Sequence, residues 1–299
     1  MISYFHYFVN QVNYQGKITW LKKSDFMDKY LIGLSSLECL GSVNLNKLLL
    51  LFSTEELWIA SFFALKKRGV PVELAEKILR QRKEVNLEEL LKSLQKENIE
   101  TVTLADQNYP ALLKEIYAPP LLLYYRGNFD CFNQPINLAV VGSRRISSYC
   151  QIVLPKILEA ALKQKTTIIS GLAIGVDGLA HQLAVTANSP TIGVLASGLE
   201  WKNFYPRQNI SLAKNILAAG GLIMSEMPPS RKPQIYNFPK RNRLIAGLAQ
   251  AILIAEAAGK SGALITADYA VDFNRDILAL PQNVNAANSA GVNRLIQNG

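Results

Sequence analysis

A chain of 299 residues, 49% hydrophobic and 18% charged, has the composition of one large or two modest globular domains, which excludes a disordered polypeptide. Its 32 Lys+Arg against 23 Asp+Glu give a formal charge of +9, which favours an anionic partner without choosing between nucleic acid and a membrane surface. Cys39, Cys131 and Cys150 are odd in number and form no CxxC pair, and His6 and His181 are the only histidines, so neither a disulfide framework nor a metal site is indicated. The start, Met1-Ile2-Ser3-Tyr4-Phe5-His6, has no basic n-region or A-x-A pattern and does not read as a signal peptide. The most apolar stretch, 48–65, is broken by Ser53-Thr54-Glu55-Glu56, short of the roughly 20 apolar residues that a span needs. The expectation is a soluble, cytoplasmic protein.

Residues 1–100 are expected to form a smaller helical N-terminal domain. Leu45, Leu48, Leu49 and Phe52 recur at helical spacing, Glu55-Glu56-Leu57-Trp58 opens another helix, and 72–79 and 87–91 are amphipathic. Residues 101–135 read as a connector packed on the core, punctuated by Tyr109-Pro110 and Ala118-Pro119-Pro120, with a strand at 121–125. From 136 to 299 the rhythm is apolar strand, turn and helix, with strands at 138–141, 167–169, 191–195, 222–224, 251–254 and 277–280. Short unalternated apolar runs between helices are what a parallel sheet buried on both faces requires. The fold class is therefore α/β, a Rossmann-like, mostly parallel sheet flanked by helices.

Gly142-Ser143-Arg144-Arg145 directly follows the first of these strands. In open α/β sheets ligands bind outside the carboxyl ends of the strands, where helix-start amides attract phosphate. Gly142 permits close backbone approach, Ser143 adds a donor, and Arg144 and Arg145 add charge-assisted contacts to phosphate oxygens. The plainer alternative is a strand-to-helix turn with solvated arginines. Ser170, Gly171 and Gly175 end the second strand in the same manner, with Asp177 placed to cap the next helix. The turn lacks G-x-G-x-x-G spacing and a P-loop lysine, so no dinucleotide or nucleoside triphosphate site is indicated. His181 reads as a packing or hydrogen-bonding residue.

Lys240, Arg241, Asn242 and Arg243 form the densest polar cluster, at the head of an apolar helix. Cations there oppose the helix dipole, so a carboxylate or a phosphate should offset them. The cluster suits a groove that tracks a nucleic-acid backbone. Trp201, Phe204, Tyr205, Tyr236 and Phe238 are candidates to stack on bases, or simply to pack. Ser261 and Gly262 open a further helix at the same sheet edge, and the nearby Glu256 is a candidate partner for one cation of the cluster. There are no paired carboxylates, no Ser-His-Asp order and no ligand set, so the site is expected to bind rather than react, with no catalytic residue, cofactor or metal.

Seven short blocks in order resemble the DNA-processing protein A family (DprA, also called Smf). They are Val140-Val141-Gly142-Ser143-Arg144-Arg145, then Ser170-Gly171-Leu172-Ala173 with Gly175, Asp177 and Ala180-His181, then Tyr205-Pro206 with Asn209. Ser225-Glu226 with Pro228 follows, then Phe238-Pro239 with Arg241-Asn242-Arg243 and Ile245-Ala246-Gly247-Leu248. Glu256-Ala257 with Ser261-Gly262-Ala263-Leu264 and Thr266-Ala267, and Ser289 with Gly291, Asn293 and Leu295-Ile296, close the set. The resemblance implies a protein that binds single-stranded DNA in a basic pocket, loads the RecA recombinase in natural transformation and works as a homodimer. It implies that Gly142, Ser143, Arg144 and Lys240 meet phosphates, with Arg241 and Arg243 supporting. Two positions depart from the family: Cys150 and Gln282 stand where glycine is usual. The chain ends at Gly299 without the C-terminal winged-helix region that many members carry.

Two rival functions use the same pocket. A Rossmann-like hydrolase of nucleotide derivatives, similar to lysine-decarboxylase-like phosphoribohydrolases, would carry a Pro-Gly-Gly-x-Gly-Thr turn; the chain reads Lys260-Ser261-Gly262-Ala263-Leu264-Ile265-Thr266 there. A nucleotide sensor would bind without chemistry.

Overall fold

The computed structural model describes residues 28–299; expectations that fall on residues 1–27 lie outside the described residues. Six helices come first: α1 (Lys29–Ser36), α2 (Ser42–Leu49), α3 (Thr54–Ile59), α4 (Phe62–Lys67), α5 (Val72–Lys83) and α6 (Leu87–Lys96). Four start on side chains that take first-turn amides: Asp28 for α1, Ser53 in a capping box with Glu56 for α3, Ser61 for α4 and Asn86 for α6.

Strand β1 (Glu100–Thr103) and strand β2 (Leu122–Gly127) follow, with the short helix α7 (Ala111–Lys114) between them. The region expected to be a connector thus contributes two strands to the sheet. β2 falls on the expected apolar run, whereas β1 was not expected. It is four residues long and buries only Val102, so no apolar run announces it.

The rest alternates strand and helix: β3 (Asn137–Val141), α8 (Ser148–Lys163), β4 (Thr167–Ser170), α9 (Val176–Thr186), β5 (Thr191–Val194) and α10 (Ile210–Ala218). Then come β6 (Leu222–Ser225), α11 (Asn237–Gly247), β7 (Ala251–Ile254), α12 (Gly262–Asp272), β8 (Asp276–Ala279) and α13 (Ala290–Gln297). One eight-stranded sheet runs in the order β1-β2-β6-β5-β4-β3-β7-β8. It is parallel from β6 to β8, and β1 and β2 are antiparallel. The fold is the mostly parallel, helix-flanked α/β sheet that the sequence implies.

Alternate residues of each strand enter different cores, as the two-residue period dictates. Ala139, Val141, Ile169, Val194 and Ile252 meet Leu244 and Ile245 of α11, Leu248 at its C-cap, and Ala263 and Ala267 of α12. Leu138, Val140 and Ile168 meet Leu154 and Leu158 of α8 and Ala180 of α9. Leu122, Tyr124 and Ile223 form one cluster with Leu31, Leu34, Leu57 and Leu94 of the N-terminal helices. Those helices therefore share a core with the sheet. Both departures from the family pattern fill structural places. Cys150 is fully buried, and burial pushes its thiol up to about 12. Gln282 is buried and donates to the Ala255 carbonyl at 2.9 Å.

Candidate nucleic-acid interface

Loops beyond the carboxyl ends of β3, β4, β5 and β6 enclose a cleft. Arg144 comes from the first loop and Gly171, Ala173 and Ile174 from the second. Ala196, Ser197, Tyr205, Pro206 and Gln208 come from the third, Pro233 from the stretch that leads into α11 and Phe238 from the first turn of α11. The cleft does not lie where strand order reverses, between β3 and β7. That crevice, the usual ligand position in open α/β sheets, is bridged by hydrogen bonds. The Glu256 carboxylate accepts from the Ser147 amide at 3.1 Å, and Asn288 donates to the Arg145 carbonyl at 2.8 Å.

The Gly142–Arg145 turn closes on itself. Ser143 Oγ accepts from the Arg145 amide at 3.0 Å and donates to its carbonyl at 2.9 Å. α8 begins only at Ser148, and Ser147 Oγ takes the Cys150 amide at 3.1 Å. The expected coincidence of the turn with a helix start is not what the structure shows. What the turn presents instead are the exposed side chains of Arg144 and Arg145. The Arg144 guanidinium lies 5.0 Å from the centroid of the Phe238 ring, within cation–π range. Gly175 lies directly beneath, at φ +85°, where a Cβ would stand 2.3 Å from the Ser143 carbonyl oxygen. Only glycine fits there.

Ser170 is buried and its Oγ donates to the Val140 carbonyl at 2.6 Å, so it ties β4 to β3 rather than facing the cleft. Asp177 was expected to cap α9. It sits in the first turn of that helix and instead accepts from the Gly171 amide at 3.1 Å, holding the preceding turn. Gly171 leaves room for Arg241, since a Cβ there would be 2.0 Å from the guanidinium.

The basic cluster divides in two. Arg241 is 7% exposed and donates to the Val194 carbonyl at 2.6 Å, under the cleft rather than in it. Burial lowers its pKa to about 10 and raises that of Asp177, while each charge favours the other's ionised form. Arg243 pairs with Glu226 at 2.6 Å and donates to the Ala118 carbonyl at 3.2 Å. Glu226 is thus the ion-pair partner of Arg243, and Asp177 favours the charge of Arg241 without an ion pair; Glu256 pairs with neither. Lys240 remains exposed, 5.2 Å from the Tyr236 ring centroid. Among the described residues, no carboxylate lies within ion-pair distance of Arg144, Arg145 or Lys240.

α11 offers these side chains rather than free amides. The Asn237 and Phe238 amides donate to the carbonyls of Gln234 and Ile235, and Pro239 has none. Asn242 donates to the Gly262 carbonyl at 3.0 Å, which links α11 to the start of α12. There Ser261 caps the helix by accepting from the Ala263 amide, and neither Ser261 nor Gly262 lines the cleft.

Of the aromatic candidates, Phe204 is buried and Trp201 is half-buried beneath Arg126 and Lys214. Tyr205 and Tyr236 are exposed, and Tyr205 meets Phe238 edge-on at 5.8 Å. His181 is fully buried against Thr191 Oγ1 at 2.7 Å, and burial lowers its pKa to about 3. Sequence reasoning missed Ile174, Ala196, Ser197, Gln208 and Pro233 as lining residues. The signal available was the Tyr205-Pro206 block with Asn209, whose side-chain amide donates to the Leu172 and Ala173 carbonyls at 2.9 and 3.0 Å. That lashes the third loop to the second.

Comparison with known proteins agrees with this architecture. The family model for DNA recombination-mediator protein A matches residues 100–299. Protein Smf of Synechocystis sp. is 41% identical over 275 residues, covering 90% of this chain and 68% of that protein. DNA processing protein DprA of Bacillus subtilis is 34% identical over 213 residues, 71% of each chain. The structure of DprA from Streptococcus pneumoniae matches with a TM-score of 0.76 at 31% identity, over 91% of this chain and 93% of that one. DNA processing protein A from Helicobacter pylori, which binds single-stranded DNA, matches with a TM-score of 0.60 at 30% identity, over 68% and 90%. This chain belongs to the DNA recombination-mediator protein A family, that of the DNA processing proteins DprA and Smf.

Proposed function

We propose that this protein grips single-stranded DNA by its phosphates along the cleft and hands it to the RecA recombinase during natural transformation, in the cytoplasm and as a homodimer. The observation that carries the DNA reading is Arg144, which lines the cleft, with the exposed Arg145 and Lys240 close to lining residues in the chain, all three without a carboxylate partner among the described residues. Cations left unneutralised beside a groove are what a polyanion's backbone pairs with. Gly142 and Ser143 would meet phosphates beside them. Ser170, Gly171, Gly175, Arg241, Asn242, Arg243, Ser261 and Gly262 would act from beneath, by fixing the turns. The RecA, dimer and transformation parts rest on the family resemblance. No chemical step is needed for this role.

A titration separates the readings. An oligo-dT of roughly twenty nucleotides should bind more tightly than duplex, with affinity falling by about 0.7 log units per log unit of salt for each phosphate contacted. Arg144→Glu and Lys240→Glu should weaken binding to all homopolymers alike, because phosphate contacts carry no base identity. Mononucleotides that bind as well as the oligomer, or are hydrolysed, would sink the DNA reading in favour of a nucleotide sensor or hydrolase.

A further inference from the structure

Two of the cleft's walls are loops, one after β5, which carries two short 3-10 turns at Trp201–Asn203 and Arg207–Asn209, and one before α11. Main-chain groups zip them together: the Gly198 amide donates to the Arg231 carbonyl at 2.8 Å and the Glu200 amide to the Pro229 carbonyl at 3.1 Å. Each loop is also held from outside, by the N-terminal helices. On the first, Ser93 of α6 donates to Glu200 at 2.8 Å, and Glu97, just past α6, takes Arg126 at 2.6 Å. Arg126 in turn donates to the Leu199 carbonyl at 3.0 Å and is 8% exposed. On the second, Ser42 of α2 donates to Glu226, the carboxylate that holds Arg243, and Arg231 reaches the Ser36 carbonyl at 3.2 Å.

We propose that Glu97 and Ser42 are positioning residues for the DNA cleft: through them the N-terminal helices fix the spacing of its two walls before a strand arrives. The inference rests on the DNA-binding reading. Its physical basis is preorganisation, since a loop already ordered in the free protein adds no ordering cost on binding. A buried arginine whose carboxylate is removed must find a new partner, and the loop it holds moves with it.

The sign of the effect makes the inference testable. Glu97 is an anion, so by charge alone Glu97→Ala should tighten binding of a polyanion. As a positioning residue its loss should weaken oligo-dT affinity about fivefold or more, the usual lower range of coupling between sites. Because no phosphate contact is removed, the salt slope should stay unchanged. Glu97→Gln, which keeps an acceptor for Arg126, should restore most of the affinity. Ser42→Ala tests the second wall without a charge change and serves if Glu97→Ala does not fold. Hydrogen exchange on the free full chain gives an independent readout. The Gly198 and Glu200 amides should exchange faster in Glu97→Ala while those of β3 and β4 keep the wild-type rate. Wild-type binding with unchanged or tighter binding by the variants, or equally fast exchange throughout the sheet, overturns the positioning role. Failure of the wild type to bind oligo-dT, with the local exchange effect intact, overturns the DNA reading instead.

Discussion

Lys240 stands exposed over the Tyr236 ring, while Arg241, one residue on, reaches inward to the carbonyl of Val194. Charge counting treats the two alike, but helical periodicity does not. Arg241, Leu244, Ile245 and Leu248 fall at the three- and four-residue spacing of one face, and all four are buried. The inward turn of Arg241 was therefore legible in the spacing, though not in the composition. What could not be read was its partnership with Asp177 and Gly171, which lie far away in the chain and meet it only through the sheet. His181 supplies a residue-scale prediction. Its folded-state pKa of about 3 lies below the ordinary 6.5, so the unfolded chain takes up the proton first as pH falls. Stability should drop as pH passes below 6.5, by about 2 kcal/mol from this group at pH 5, and go on falling until about pH 3. Urea denaturation at pH 7 and pH 5 reads the loss. His181→Asn should remove that share of it, and an unchanged pH dependence in the variant would refute the assignment.

Helix starts decide what each turn at the sheet edge presents. Ser147 takes the Cys150 amide, so the Ser143 turn is free to close on Arg145 instead of serving as a cap. Ser147→Ala should cost about 1 kcal/mol of stability in urea denaturation, the usual worth of a serine cap. The cap's amide also bonds Glu256, and that contact survives the change; a loss of several kcal/mol would show that more than the cap had gone. At this scale the strands β3 to β7 were readable because each is a short apolar run. β1 was not, since it lies at the sheet's edge beside β2 and needs only Val102 on the inside. The start of α8 lies further on than the turn suggests, because sequence shows where a strand ends but not how many residues precede the cap.

Across the whole molecule, the N-terminal helices and the sheet draw on one apolar cluster, with the Ser35 and Tyr124 hydroxyls 2.6 Å apart in its midst. A division near residue 100 follows the change in sequence texture, yet the buried side chains on either side of it belong together. Thermal unfolding followed by calorimetry should give a single cooperative transition in which helices and sheet melt as one. Two resolved transitions would mean that the shared cluster does not couple them. No helix among the described residues is long and apolar enough to cross a membrane. Arg126 and Arg243 are answered inside the fold by Glu97 and Glu226, so the formal excess of +9 is carried by other cations.

The zipped walls of the cleft have a consequence for redesign. They are joined by amides and carbonyls at Gly198, Glu200, Pro229 and Arg231 and held from outside by the N-terminal helices, and neither set of contacts uses the side chains that line the groove. Ile174, Tyr205 and Gln208 line that groove and are exposed. The frame and its lining can therefore vary separately, and a new preference can be selected at three positions without reopening the question of whether the protein folds.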